Sequence, residues 1–227
     1  MPRDARIVAP NFPHHVTQRG NYKQKVFYTK KDYVLYLEWL DEYANKYELS
    51  IIAYCLMPNH VHFIAIPTYE NSLASTFRIC HTRYASYLHK KKNLKGHLWQ
   101  GRFFSSVLDD AHLYAAVKYV ELNPVKAGLV KHAWDWPWSS AAVHVEKRNS
   151  ILALNKVHDI LDIPDWKSYL HEGEDAALIS ILEANTKSGK PCGESIFVQK
   201  LEKLLGKELM AYNGRKKGHV APSYIGL

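Results

Sequence analysis

The chain has 227 residues, 47% of them hydrophobic, enough for one full core with a smaller appendage and too apolar for a disordered or fibrous protein. Its 30 Lys and Arg against 22 Asp and Glu leave a net charge of +8, unevenly spread: residues 1–145 hold 18 against 11, and residues 146–227 hold 12 against 11. An anionic partner is therefore expected to meet the first part of the chain, the plainer alternative being that the excess lysine serves only solubility.

Cys55, Cys80 and Cys192 form no CxxC pair, which speaks against a zinc knuckle or a disulfide framework and fits a reducing cytoplasm. The N-terminus carries no apolar leader, and no stretch reaches the roughly 18 uncharged apolar residues of a membrane span.

In chain order, residues 12–18 predict a short strand closed by the turn-forming Arg19-Gly20-Asn21. Over residues 31–47, Val34, Leu37, Leu40, Ala44 and Tyr47 recur at helical spacing and predict an amphipathic helix. Residues 50–57 are an apolar run too short for a helix. Pro58-Asn59 breaks that run, and residues 60–66 alternate polar and apolar up to Pro67, so the two segments are expected to pair as an antiparallel hairpin. Helical periodicity returns over residues 72–90 at Leu73, Phe77, Cys80, Tyr84 and Leu88. Lys90-Lys91-Lys92 then begin a basic loop carrying His97, Trp99 and Gln100, before a further strand over residues 102–108. Asp109-Asp110 is read as the cap of a helix over residues 111–122, with Asn123-Pro124 as its stop.

The order strand, helix, strand, strand, helix, strand, helix predicts an α+β fold, a ferredoxin-like antiparallel sheet flanked by helices. The Trp-rich residues 134–138 are expected to pack against that sheet. Beyond them the pattern is helical and broken, at 151–161, 166–170, 176–185 and 194–205. The last two segments flank Gly189-Lys190-Pro191 as a helix-turn-helix-like pair would, and Arg215-Lys216-Lys217-Gly218 reads as a basic tail. The expected division is a domain over residues 1–145 and a helical extension over 146–227.

Two short segments carry the chemistry. His60 and His62 share one face of a strand, where two neutral imidazoles can bind a divalent metal; otherwise they merely line a polar sheet face. Tyr119 and Asn123 share one helix face, whereas Tyr114 projects from roughly the opposite one. A phenol can attack a phosphate, although its ordinary pKa of about 10 requires a neighbour or the attack itself to take the proton. An amide oxygen beside two imidazoles suits Mg or Mn. The plainer reading of Tyr119 is a core residue of an amphipathic helix. The basic loop has the composition of a nucleic-acid site, with cations for phosphates and Trp99, Phe103 and His97 to stack on unpaired bases, or else it is a solvated loop anchored by one tryptophan.

The segments His14-His15-Val16-Thr17-Gln18-Arg19-Gly20-Asn21, Tyr54-Cys55-Leu56-Met57-Pro58-Asn59-His60-Val61-His62, Leu98-Trp99-Gln100-Gly101-Arg102-Phe103, Lys118-Tyr119-Val120-Glu121-Leu122-Asn123-Pro124 and Trp136-Pro137-Trp138-Ser139-Ser140 together resemble the single-tyrosine HUH transposases, and more closely the REP-associated tyrosine transposases. The resemblance spans nearly all of residues 10–142. It implies the HUH form of the ferredoxin-like fold, with His60 and His62 as metal ligands, Tyr119 as nucleophile and Asn123 as third ligand, where many relatives carry Gln. It further implies Mg or Mn as cofactor, cleavage of single-stranded DNA beside hairpins of imperfect palindromes, and a covalent 5'-phosphotyrosine intermediate. Arg19, Arg83, Lys90, Lys91, Lys92, Trp99 and Arg102 are expected to hold the strand, in a cytoplasmic, nucleoid-associated monomer or homodimer. A domesticated nuclease that processes chromosomal hairpins, or a DNA-binding regulator without catalysis, is the alternative.

Overall fold

The computed structural model describes residues 6–93, 95–154 and 157–209, so the basic stretch Arg215-Lys216-Lys217 lies outside the described residues. The domain over the first 126 residues runs β1 (His14–Arg19), α1 (Lys30–Lys46), β2 (Leu49–Met57), β3 (His60–Pro67), α2 (Ser72–Lys92), β4 (Phe104–Val107) and α3 (Asp110–Lys126). The four strands order as β2-β3-β1-β4 with every pairing antiparallel, the ferredoxin-like arrangement. Pro58 and Asn59 join β2 to β3 as a tight hairpin, and the two strands pair from Met57 opposite His60 onward.

The sheet separates two cores. Val61 and Phe63 point to one side and pack with Tyr36, Leu40, Phe77 and Tyr84 of α1 and α2. Ile52, Cys55 and Ile64 point to the other and pack with Leu113, Val117 and Val120 of α3. The strand period of two thus puts His60 and His62 on the α3 side, opposite to Val61 and Phe63.

Three local expectations are corrected. The helix α3 does not stop at Asn123-Pro124 but runs through Pro124 to Lys126. Pro124 gives up its own amide bond within the helix and is buried in exchange. Lys90, Lys91 and Lys92 are not a loop: they form the last turn of α2, where cations favour the helix C-terminus, and Asn93 closes it in the left-handed conformation. Among the described residues of 151–161 only the short α5 (Val157–Ile160) forms, and an unforeseen helix α4 (Ala141–Glu146) follows the Trp-rich segment. The Asp109 cap is present, its Oδ1 accepting from the His112 amide at 2.9 Å.

Both sheet edges are covered. Outside β2, the Leu56 amide donates to the Trp138 carbonyl at 2.8 Å, and Trp138 stacks on Tyr33 with ring centroids 4.5 Å apart. Outside β4, the Cys192 amide donates to the Val107 carbonyl at 2.7 Å and the Asp109 amide to the Cys192 carbonyl at 2.9 Å. Such cover removes the exposed ladder groups that would template association. The extension supplies α6 (Trp166–His171), α7 (Ala176–Ser188) and α8 (Ser195–Leu205), and α7 packs on β4, α3 and β1. Among the described residues no helix is long and apolar enough to cross a membrane.

Candidate active site

The register of β1 against β3 builds the site floor. Arg19 pairs with His60 and Thr17 with His62, so His15, Thr17 and Arg19 share the face that carries the two histidines. From above, α3 lowers Tyr119 onto this floor: its ring centroid lies 5.6 Å from that of His62 and 5.9 Å from that of His15, edge-on to both. The rings of His60 and His62 are 4.9 Å apart and nearly perpendicular.

The hydrogen bonds define which nitrogens are available. The Nδ1 of His60 lies 2.6 Å from Asn59 Oδ1, an acceptor, so this nitrogen carries the proton and Nε2 keeps a lone pair. The Nδ1 of His62 faces Nε2 of His15 at 3.0 Å. Among the described residues neither Nε2, of His60 or of His62, takes a hydrogen bond. The two donors therefore fit a divalent metal, each ring held by a partner on its other nitrogen. Among the described residues no three His, Cys, Asp or Glu side chains gather closely enough to hold an ion. Asn123 gives its Nδ2 to the Tyr119 carbonyl at 2.8 Å, which leaves its Oδ1 without a share in that bond.

Burial keeps these imidazoles neutral and thus able to ligate. It pushes His60 down to about 4, helped by the charge of Arg19, and holds His62 well below the ordinary range, with smaller contributions from His15, His60 and nearby cations. The Tyr119 phenol moves the opposite way: burial first, then the carboxylate of Glu183, raise its pKa above the usual value. Lys126 Nζ sits 4.6 Å over the Tyr119 ring.

The sequence offers no hint of Glu183. It arrives on α7, accepts from the Tyr119 hydroxyl at 3.1 Å, and with Thr186 and Lys187 walls a cleft of about 180 Å³ whose floor includes His15, Arg19 and His62. His15 has a signal in hindsight, the odd-numbered residues of β1, which becomes readable only once β1 is paired with β3.

The expected strand-binding residues scatter. Arg19 lines the cleft. Arg102 lines instead a separate groove of about 410 Å³ beside α2, with Arg6, Arg78 and His89. The Trp99 indole is buried and donates to the His81 carbonyl at 3.2 Å, so it offers no open face for a base. Arg83 is engaged with Glu42 at 2.8 Å and the Tyr43 hydroxyl at 2.7 Å, and Lys91 with buried Asp32 at 2.5 Å. Lys92 lies 4.3 Å over the Tyr28 ring, and Lys90 is exposed.

Comparisons with known proteins converge on one family. The family described as "Transposase IS200 like" matches over residues 9–123. A Haemophilus influenzae protein named REP-associated tyrosine transposase is 24% identical over 148 residues, covering 57% of this chain and 84% of its own. The REP-associated tyrosine transposase of Escherichia coli K12 is 27% identical over 115 residues, covering 50% of this chain and 66% of its own. Among solved structures, a REP-associated tyrosine transposase bound to a REP hairpin superposes with a TM-score of 0.55 at 22% identity, over 72% of this chain and 96% of that one. That likeness bears on the fold.

Proposed function

The chain belongs to the IS200-like transposases, and from that premise we propose that it is a metal-dependent single-strand DNA endonuclease and strand transferase that cuts beside hairpins with Tyr119 as its nucleophile. One observation carries the reading: Tyr119 lies edge-on over His62, in one cleft with Arg19. A phenol, a pair of imidazoles with lone pairs to give and a guanidinium are the parts that phosphodiester cleavage requires.

Arg19 binds the scissile phosphate and neutralises part of its charge, being placed beside His60 by the β1–β3 register. Tyr119 Oη attacks phosphorus in line, a P–O bond to the phenol forms and the bond to the 3'-oxygen breaks, the phenolic proton passing to water and the leaving 3'-oxygen taking a proton from water. The products are a 5'-phosphotyrosine and a free 3'-hydroxyl, and attack by a 3'-hydroxyl on that phosphotyrosine rejoins strands. A divalent ion, Mg or Mn, held by His60, His62 and Asn123, supplies further charge neutralisation on the phosphate when bound. The separate groove with Arg6, Arg78, His89 and Arg102 carries the flanking nucleic acid by its phosphates. A hairpin partner is supported by the relative solved with a REP hairpin.

The alternative of a regulator that reads DNA with the pair α7 and α8 is disfavoured by α7 itself, whose Glu183 and Thr186 are spent on Tyr119 and His15. Incubation of the full chain with end-labelled hairpin oligonucleotides and Mn tests the proposal. A covalent protein–DNA band is expected, lost in Tyr119→Phe with oligonucleotide binding retained; cleavage that persists in Tyr119→Phe removes Tyr119 from its role.

A further inference from the structure

We propose that His15 and Thr186 form a hydrogen-bonded relay that fixes the tautomer of His62, so that the C-terminal extension completes the metal site. The inference rests on the reading of His60 and His62 as metal ligands. His15 is 2% exposed, between His62 and α7. Its Nε2 lies 3.0 Å from His62 Nδ1, the two rings being parallel within 4°, and its Nδ1 lies 2.8 Å from Thr186 Oγ1.

Each link determines the next. A hydrogen bond between two imidazole nitrogens needs a proton on one and a lone pair on the other. Since Nδ1 of His62 is committed to His15, a metal takes Nε2 of His62, and that nitrogen must be unprotonated. The single proton of the neutral ring therefore sits on Nδ1 and is donated to His15 Nε2. His15 in turn carries its own proton on Nδ1, which needs an acceptor, and Thr186 Oγ1 is in place to accept it. The accounting takes one proton per ring, the neutral state that burial of both imidazoles favours.

His60 has no need of such a relay, since Asn59 Oδ1 sets its tautomer from the adjacent residue. His62 has no equivalent neighbour in sequence. Its orienting group is a second histidine, 47 residues away, and that histidine's anchor is 171 residues away on the extension. Without an acceptor at Thr186, the buried His15 relieves its stranded Nδ1–H by carrying the proton on Nε2. His62 must then place its proton on its own Nε2, and the ligating lone pair is gone.

Two readouts on the full chain test this: Mn affinity by titration calorimetry, and histidine tautomers of the metal-free protein from two-bond proton–nitrogen correlations. The wild type is expected to show His62 protonated on Nδ1 and to bind Mn. Thr186→Val is expected to weaken Mn binding about 10- to 100-fold and to move the His62 proton to Nε2, with Thr186→Ser restoring both. The relay is overturned by an unchanged Mn affinity in Thr186→Val, or by His62 protonated on Nε2 in the wild type. Three imidazole nitrogens on bound Mn by pulsed EPR also overturn it, because His15 would then be a ligand itself. A wild type that binds no Mn overturns the metal reading beneath the relay, and the relay with it. The tautomer measurement needs only the wild type, so it decides the matter even where Thr186→Val fails to fold.

Discussion

The phenolic hydroxyl of Tyr119 donates to Glu183 Oε1 at 3.1 Å, so the proposed nucleophile is held by a residue of the extension 64 positions away. This contact opposes reaction in two ways. A carboxylate beside the phenol disfavours the phenolate, adding to the effect of burial on its pKa. It also places a negative charge where the scissile phosphate must approach, in a cleft of about 180 Å³ that is smaller than the roughly 300 Å³ of a modest ligand pocket. Glu183→Gln keeps the side-chain shape and removes the charge. Single-turnover cleavage of a hairpin oligonucleotide near pH 7 is expected to speed up about 3- to 10-fold, the equivalent of about 1 kcal/mol of relieved repulsion. A slower Glu183→Gln would mean that Glu183 chiefly takes the phenolic proton.

The two halves of this site differ in how well the sequence announces them. His60 with His62, and Tyr119 with Asn123, are legible because their shared faces follow from the periods of a strand and of a helix, which are local. That Tyr119 meets His62 follows from the ferredoxin-like order, itself readable from the alternation of elements. The contributions of His15, Glu183 and Thr186 are not legible, since each depends on a pairing or a docking between distant segments. Trp99 misleads for a related reason: flanked by glycines and lysines it resembles an exposed stacking residue, yet the bridge between Gly20 and Trp99 draws it into the core. Pro124 is a true helix breaker in the abstract, overridden here by its place in the last turn.

Gly20 sits where the β1 end meets the β2–β3 hairpin, its amide donating to the Asn59 carbonyl at 2.8 Å. Its φ of −60° suits any residue, so the requirement is for room. An added Cβ would run into the Gln24 carbonyl, lie 2.8 Å from Val26 Cγ1 and press on the Asn59 carbonyl at 3.3 Å. Gly20→Ala is therefore expected to cost about 1–3 kcal/mol in urea unfolding, the usual scale of overpacking. Because Asn59 orients His60, it should weaken Mn binding as well; unchanged stability and unchanged affinity together would refute the steric argument.

Asp32 is fully buried beneath the start of α1, where its Oδ2 accepts from the amides of Thr29 at 2.8 Å and Tyr28 at 3.0 Å and its Oδ1 from Tyr87 at 2.9 Å and Lys91 at 2.5 Å. Burial pushes its carboxyl up, but the hydrogen bonds from Lys91, the two amides and Tyr87 outweigh it and hold the pKa below the ordinary value. A carboxylate with a lowered folded pKa contributes stability above its unfolded value, near 4, and loses it as pH falls through the folded value. Asp32→Asn should thus lower stability by about 1–3 kcal/mol at pH 7. The difference from wild type should narrow below about pH 4; a gap that stays constant down to pH 3 would show that the charge plays no part.

Acid should act on this protein well before it reaches Asp32. His14, His15, His62 and His81 are all buried. Burial lowers each of them from 6.5: His14 to about 4, His15 and His81 to about 3, and His62 to well below its ordinary value. Below pH 6.5 the unfolded chain binds protons at these rings and the folded chain does not. The stability they supply is therefore complete above 6.5 and drains as pH falls from there toward the folded values. At pH 5 His14, His15 and His81 each account for a loss of about 2 kcal/mol, about 6 kcal/mol together, comparable with the lower end of the roughly 5–15 kcal/mol that holds a domain folded, and His62 acts in the same direction. Urea midpoints measured at pH 7.5, 6 and 5 are expected to fall steeply. His81 lies outside the cleft, its Nε2 2.8 Å from the Tyr36 hydroxyl, so His81→Gln isolates one ring: the slope of stability against pH should shallow by close to one proton. A midpoint that stays level from pH 7.5 to 5 would mean that these histidines are not held neutral by burial.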